Sequence, residues 1–204
     1  MKDNNIIIID NNSNTVINLF NEKIEELEIN IKDNSTLKIN IFNKINIDKS
    51  KIKINIGNNS SIVFNYSYIN EKNYKLDLTT NYLGNESNIV INISNLNNKG
   101  LSEITVDGIV KNECKNNLLE EKIKILNINN GKAICKPNMY IKTNKVIANH
   151  ENGIGNINEE ELFYLMSKGL SKETSIKLIC DGFLLNIIED IDLKNKIKEY
   201  LNWR

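Results

Sequence analysis

The sequence predicts a mainly β protein that ends in a helical region, and among β architectures it favours a parallel β-solenoid. Three observations lead to this prediction. Apolar and polar residues alternate through the first two-thirds of the chain, one segment repeats after 25 residues, and the apolar spacing becomes helical after about residue 156. We therefore expect a β-helix core domain over residues 1–155 and a C-terminal α-helical region over residues 156–204.

The alternating segments are short and regular. Each is about five residues long, and all but one contain Ile. They lie at 27–31, 37–41, 52–56, 62–66, 74–78 and 89–93. Alternation with a period of two is typical of strands that bury one face, and β-branched residues suit a pleated surface. Short strands separated by Asn, Ser, Asp and Gly fit a sandwich, a barrel or a solenoid.

An internal repeat favours the solenoid. Residues 29–37 closely parallel residues 54–62, and a small polar turn returns every 22 to 27 residues. One coil of a parallel β-helix needs about that much chain, and stacked coils bury a shared apolar interior. A series of hairpins in a sandwich would also produce recurring Asn-rich turns, so this alternative stays open on the repeat alone.

The C-terminal region has helix start and stop signals. Asn158 precedes three glutamates, which suit the first turn of a helix, and Gly169 is placed to end that helix. Ser171 is a candidate cap for a second helix. Asp192 is the expected cap of a third helix that ends near Trp203.

Composition excludes several classes of function. The 26 basic and 26 acidic residues balance, so we expect no nucleic-acid or membrane partner. The three cysteines are widely spaced and do not form a disulfide framework. The apolar run at residues 6–9 is too short for a signal peptide or a membrane span. A cytoplasmic location is expected. The abundance of Asn, Ile and Lys is interpreted mainly as codon bias.

Residues 137–188 contain a recognisable motif. A strand led by Pro137 is followed by His150 and by a loop with Gly153 and Gly155. The helical part then reads Leu162-Phe163-Tyr164-Leu165, Ser167-Lys168-Gly169-Leu170-Ser171 and Asp181-Gly182-Phe183. In order and spacing this stretch resembles the C-terminal core of the SufB/SufD family, the scaffold subunits of SUF iron–sulfur cluster assembly.

The resemblance implies a right-handed parallel β-helix, no catalytic activity of its own, and two partners. A SufC-type ATPase is expected to bind the helical region at Phe163, Tyr164 and Lys168, and a second SufB/SufD-type subunit to pair with the β body as a homodimer or heterodimer. The chain has no P-loop, so ATP hydrolysis would belong to the partner. Whether the chain corresponds to SufB or to SufD stays open.

The resemblance also implies a site that holds iron or an iron–sulfur cluster transiently. His150, the only histidine, falls at the family's proposed cluster position, and Glu151 follows it directly. Imidazole nitrogen and carboxylate oxygen both bind ferrous iron. Cys135 is the candidate thiolate.

The expected cysteine is missing. SufB-type scaffolds carry an essential cysteine upstream of the histidine, which would fall at residues 118–121, where this chain has none. Cys114 would match that position only in a shifted register. Cys180 is expected on the apolar side of a helix, packed in the protein core. This departure puts direct cluster assembly in question, since cluster ligation usually requires thiolates.

Two other functions remain alternatives. One is a β-solenoid interaction module that binds no metal. The other is a β-solenoid carbohydrate-active enzyme, which the single histidine and the few arginines disfavour.

Overall fold

Parallel strand pairing organises the protein, whose computed structural model describes residues 5–201. In chain order the strands are β1 (Asn5–Ile9), β2 (Asn14–Phe20), β3 (Glu26–Ile31), β4 (Thr36–Ile45), β5 (Lys49–Ile56), β6 (Ser61–Asn70), β7 (Tyr74–Tyr82), β8 (Asn88–Asn98), β9 (Leu101–Val110), β10 (Asn117–Ile128), β11 (Lys132–Ile141) and β12 (Val146–Asn156). The helices are α1 (Glu159–Ser167), α2 (Lys172–Leu185) and α3 (Ile191–Leu201).

The strands form two sheets between which the chain alternates. The odd-numbered strands are ordered β1-β3-β5-β7-β9-β11 in one sheet, and the even-numbered strands β2 to β12 form the other. Each strand therefore pairs in parallel with the strand two places along the chain. This arrangement confirms the predicted parallel β-solenoid with C-terminal helices.

The 25-residue repeat is the length of one coil. Ile29 lies beside Ile54 in the pairing of β3 with β5, and Leu37 lies beside Ile62 in the pairing of β4 with β6. Equivalent residues of the repeat are therefore neighbours in space. Because a parallel pairing keeps the alternation of neighbouring strands in phase, the apolar rows stack and bury a common lumen.

The repeated polar turn is held by a column of serines. The backbone N–H of Ser35 donates to Ser60 Oγ at 3.1 Å, and that of Ser60 donates to Ser87 Oγ at 3.2 Å. Asn34 and Asn59 precede two of these serines with φ values of 56° and 49°. Asn tolerates this left-handed conformation better than most residues, which explains the recurring Asn-Ser pair.

Asparagines also form ladders across the coils. The side-chain amide of Asn40 donates to Asn18 at 2.9 Å, Asn65 donates to Asn40 at 2.8 Å, and Asn92 donates to Asn65 at 2.8 Å. Asn40 and Asn65 are buried. A buried amide needs such partners, so these asparagines have a structural role beyond the compositional bias inferred from sequence.

Helices α2 and α3 cover the outer face of the even-numbered sheet. A second apolar cluster forms there from strand residues Phe42, Ile69, Leu96 and Leu126 and helix residues Cys180, Leu184, Ile188, Leu193, Ile197 and Leu201. The hydroxyl of Ser67 on β6 donates to the carbonyl oxygen of Leu184 at 2.8 Å. Packing and this buried hydrogen bond fix α2 and α3 on the solenoid.

Most of the helix signals read from sequence are present. Asn158 accepts from the N–H of Glu160 at 2.8 Å, and Ser171 accepts from that of Thr174 at 3.1 Å. Gly169 follows α1 with a φ of 92°. The predicted cap of α3 was wrong by two residues: Asp190, and not Asp192, accepts from the N–H of Leu193 at 2.7 Å.

The predicted third-helix end at Trp203 lies outside the described residues. The strands end at Asn156, and the helices occupy the segment from Glu159 to Leu201. Within residues 5–201, no helix is both long enough and apolar enough to cross a membrane.

Candidate functional site

The last coil, β11 and β12, forms an open end of the solenoid. Within the described part of the chain, β11 pairs only with β9 and β12 only with β10, so each strand has a free backbone edge. Every residue of β12 from Asn149 onward is exposed. Unpaired strand edges are ready to pair with another chain.

Strand alternation decides which side chains of this coil face the lumen. On β10 the inward row includes Leu119, Glu121 and Ile123, all of them buried. The pairing of β10 with β12 aligns Ala148 with Leu119 and His150 with Glu121. Ala148 packs against the lumen cluster. His150 is therefore on the inward row, one coil beyond Glu121.

Glu121 is a carboxylate inside an apolar lumen. Glu121 is 1% exposed, and within residues 5–201 neither of its carboxylate oxygens has a hydrogen-bond partner. Burial, with a smaller contribution from the charge of Asp107, raises the pKa of Glu121 to about 7. An ionised carboxylate in such surroundings is costly unless a cation or hydrogen-bond donors compensate it.

Gly108 makes room for this carboxylate from the opposite sheet. A Cβ atom at Gly108 would lie 2.4 Å from Leu119 Cδ2 and 3.0 Å from Glu121 Oε1. A larger residue at position 108 would force the Leu119 side chain to shift and would crowd the Glu121 carboxylate. The Glu121 side chain therefore reaches across the lumen to β9.

Cys135 lies on β11 and contacts the same lumen. It pairs in register with Ile104 and packs, half-buried, against the lumen cluster. Burial, followed by the nearby charge of Glu121, raises the pKa of the Cys135 thiol to about 11. The thiol form is therefore favoured at neutral pH, and the thiolate is the form that binds metal.

Glu151 faces away from the lumen. Its carboxylate lies 3.4 Å from Lys122 Nζ and 3.4 Å from Lys124 Nζ, both on β10. Hydrogen bonding and charge from Lys124, and then from Lys122, lower the pKa of Glu151. Because consecutive strand residues point to opposite faces, His150 and Glu151 do not converge within one chain.

Helix α1 is the most exposed helix of the described chain. None of its residues is buried, and Phe163 and Tyr164 are 74% and 59% exposed. Lys168 follows directly, with its Nζ 5.3 Å from the centre of the Tyr164 ring. Aromatic side chains exposed to this extent on one short helix are typical of a contact surface.

Comparison with known proteins identifies the family. The family model of the SufBD core domain, described as SUF system FeS cluster assembly, matches residues 50–183. The chain belongs to the SufBD family. The match includes the open end of the solenoid, helix α1 and most of helix α2. Membership in the SufBD family supports a role in iron–sulfur cluster assembly.

Individual SufBD proteins are similar over shorter stretches. A SufBD family protein of Pyrococcus horikoshii is 43% identical over 58 residues, which are 28% of this chain and 13% of that protein. One from Galdieria sulphuraria is 36% identical over 66 residues, 32% of this chain and 30% of that protein. The SufD protein of Bacillus subtilis is 28% identical over 68 residues, 33% of this chain and 16% of that protein. The chain therefore matches less than a third of the length of each of these relatives.

The SufBD chain brings together only some of the site residues predicted from sequence. His150 and Cys135 both belong to the last coil, whereas Glu151 is on the outer face of β12. Among residues 5–201, no group of three or more His, Cys, Asp or Glu side chains is close enough to hold a metal ion. Cys114 and Cys180 are buried, the first in the lumen cluster and the second on the face of α2 that packs in the second apolar cluster.

Sequence reasoning missed Glu121. It follows Glu120, and two adjacent acids in a sequence are most simply explained as part of a solvated surface. Two sequence signals were available: the inward phase set by Leu119 and Ile123, and the glycine at position 108. Neither signal indicates an unpaired carboxylate until the register of β9, β10 and β12 is known.

Proposed function

We propose that this chain is a non-catalytic subunit of a cytoplasmic iron–sulfur cluster assembly complex, pairing with another SufB/SufD-type subunit and with a SufC-type ATPase. The observation that carries the proposal is the exposed α1 surface, defined as Phe163, Tyr164 and Lys168, within the segment that matches the SufBD core. A scaffold needs such contact surfaces because the energy for assembly comes from a partner that hydrolyses ATP.

The ATPase would dock on the α1 surface. Phe163 and Tyr164 offer large rigid rings, and Lys168 adds a cation beside them. Aromatic residues are the most frequent energetic anchors of protein interfaces. The second scaffold subunit would pair with the open end formed by β11 and β12, where exposed strand edges are available.

The cargo at that end would be iron or a cluster, bound transiently at His150 and Cys135. The Glu151 carboxylate lies on the opposite face of β12 and would be a separate donor that does not share this ion with His150. The donors of one chain do not suit a cluster held by thiolates alone, because Cys135 is the one cysteine of the last coil and burial disfavours its thiolate. They suit iron bound by nitrogen and oxygen donors better. Further donors would come from the paired subunit.

A second candidate function is an interaction module that binds no metal. It is favoured by the lack, within residues 5–201, of a ready group of three metal-binding side chains. This alternative has the same fold and the same protein partners, and it differs in whether iron binds at the open end.

Co-purification tests the proposal. The chain is expressed with the SufC-type ATPase of its own organism, and the mixture is analysed by size exclusion. We expect a stable complex that is lost in the double variant Phe163→Ala, Tyr164→Ala, with Lys168→Ala weaker than wild type. Tyr140→Ala, which removes an exposed aromatic side chain from β11, is the matched control and is expected to retain the ATPase.

Absence of a complex with a wild-type chain that is well folded would reject the proposal. Equal loss of binding in the Tyr140 control would instead reject the α1 surface as the docking site. Circular dichroism of each variant establishes that the β-rich fold persists.

A further inference from the structure

Glu121 carries an inference beyond the family role. Within the described chain its carboxylate is the one buried acidic group with both oxygens unpaired. Its neighbours on the inward row, Leu119 and Ile123, are apolar and equally buried. A leucine or isoleucine would continue that row at no electrostatic cost, so an acid here needs a compensating partner.

The protein accommodates this acid instead of filling the space. Gly108 leaves open the volume that a Cβ would take from Glu121 Oε1, at 3.0 Å. The lumen therefore has space for the carboxylate, yet no N–H or O–H group of the described chain lies within hydrogen-bonding distance of it. A cation supplied from outside the chain is the compensating partner that fits both facts.

The surroundings offer a route and a second donor. One coil further on, His150 lies in register with Glu121, on the same inward row and exposed at the open end. Cys135 faces the same part of the lumen and is close enough for the charge of Glu121 to affect its thiol. An ion arriving at the open end would meet His150 first and Glu121 directly behind it.

The geometry points to Glu121 as a ligand for a divalent transition-metal ion at the open end of the solenoid, with the His150 imidazole as a second donor from the adjacent coil. Carboxylate oxygen and imidazole nitrogen together suit ferrous iron, manganese or zinc. The remaining ligands would come from the paired subunit and from solvent. The inference rests on the proposed function, because ferrous iron is the ion that an assembly scaffold would receive.

The competing explanation is that Glu121 is a protonated acid that only fills the lumen. A Glu121→Gln variant separates the two, because glutamine keeps the shape but loses the anionic ligand. Glu120→Gln is the matched control: it changes the next residue of β10, which is exposed on the outer face. Glu121→Asp keeps the carboxylate on a shorter side chain.

The experiment is an anaerobic calorimetric titration of the full chain, alone and mixed with its co-purifying partners, with ferrous iron alone as the probe. We expect Glu121→Gln and His150→Ala each to weaken binding by about tenfold or more, since even outer-shell partners of a metal affect affinity that much. Glu120→Gln should bind as wild type, and Glu121→Asp should lie between. In a separate measurement Co²⁺ replaces ferrous iron, and its visible absorption should change in both the Glu121 and His150 variants.

Several results would overturn the inference. These are wild-type iron affinity in Glu121→Gln, an equal loss of iron affinity in Glu120→Gln, or no iron bound by the wild-type chain either alone or with its partners. Additive losses from Glu121→Gln and His150→Ala would also overturn it, because residues that share one ion are not independent. Retention of the ATPase by Glu121→Gln is measured in parallel, so a failure of this inference is distinguishable from a failure of the proposed function.

Discussion

Replacing Glu121 by glutamine should stabilise the metal-free protein at neutral pH and have little effect in acid. Burial raises the pKa of Glu121 from 4.5 to about 7 in the folded chain. Between those two pH values the unfolded state has released the proton while the folded state still holds it. Stability of the wild type must therefore fall as pH rises through this window.

The magnitude follows from the size of the shift. A pKa difference of about 2.5 units corresponds to a free energy of unfolding of about 3 kcal/mol, lost by the wild type between pH 4.5 and 7 and absent from Glu121→Gln. The side chain is almost completely buried, so solvent screening does not reduce this figure much. Above pH 7 the full difference should be present.

Urea denaturation followed by circular dichroism, with a chelator present, measures this difference. Wild type and Glu121→Gln are compared at several values between pH 4 and pH 8, and the other titrating groups cancel in the difference. Glu120→Gln, on the exposed face of the same strand, should track the wild type at every pH. A difference between wild type and Glu121→Gln that does not change with pH would refute the reasoning, because it would mean that the carboxylate is solvated or paired in the folded state.

Two packing predictions concern other parts of the fold. Leu184→Ala empties a buried position between α2 and the solenoid and should lower the free energy of unfolding, measured by urea denaturation, by about 2–5 kcal/mol. Leu178 is exposed on the same helix, so Leu178→Ala should cost little. Equal effects would contradict the packing of α2. Gly108→Ala places a methyl group 2.4 Å from a Leu119 carbon and should cost about 1–3 kcal/mol. Gly153→Ala, with open space around it, is its control, and a neutral Gly108→Ala would contradict the tight lumen.

Local periodicity made the fold readable from sequence. The alternating segments all fall inside strands, and the 25-residue repeat matches the register that puts Ile29 beside Ile54. Both signals are local or nearly so, because an inward row has a period of two and a coil has a nearly constant length. The caps at Asn158 and Ser171 were readable for the same reason: each bonds to a backbone group within three residues.

Relations between coils were not readable in the same way. The ladder from Asn18 to Asn92 joins residues that are 22 to 27 positions apart at each step. In a sequence so rich in Asn, composition alone does not reveal which amides meet. The hydrogen bonds depend on small differences in coil length, which tertiary structure sets.

The sequence by itself determined the solenoid, the change to helices near residue 156, and the motif that includes His150 and the α1 surface. These features are encoded by periodicity and by short segments. Only the tertiary structure decided that His150 and Glu151 face opposite ways, and that Glu121 lies on the inward row behind His150 with Gly108 opposite. One physical reason is that a one-residue change of phase moves a side chain from solvent to lumen. The other is that strands far apart in the chain form the environment of an acid, and this environment sets the pKa of the acid and its need for a partner.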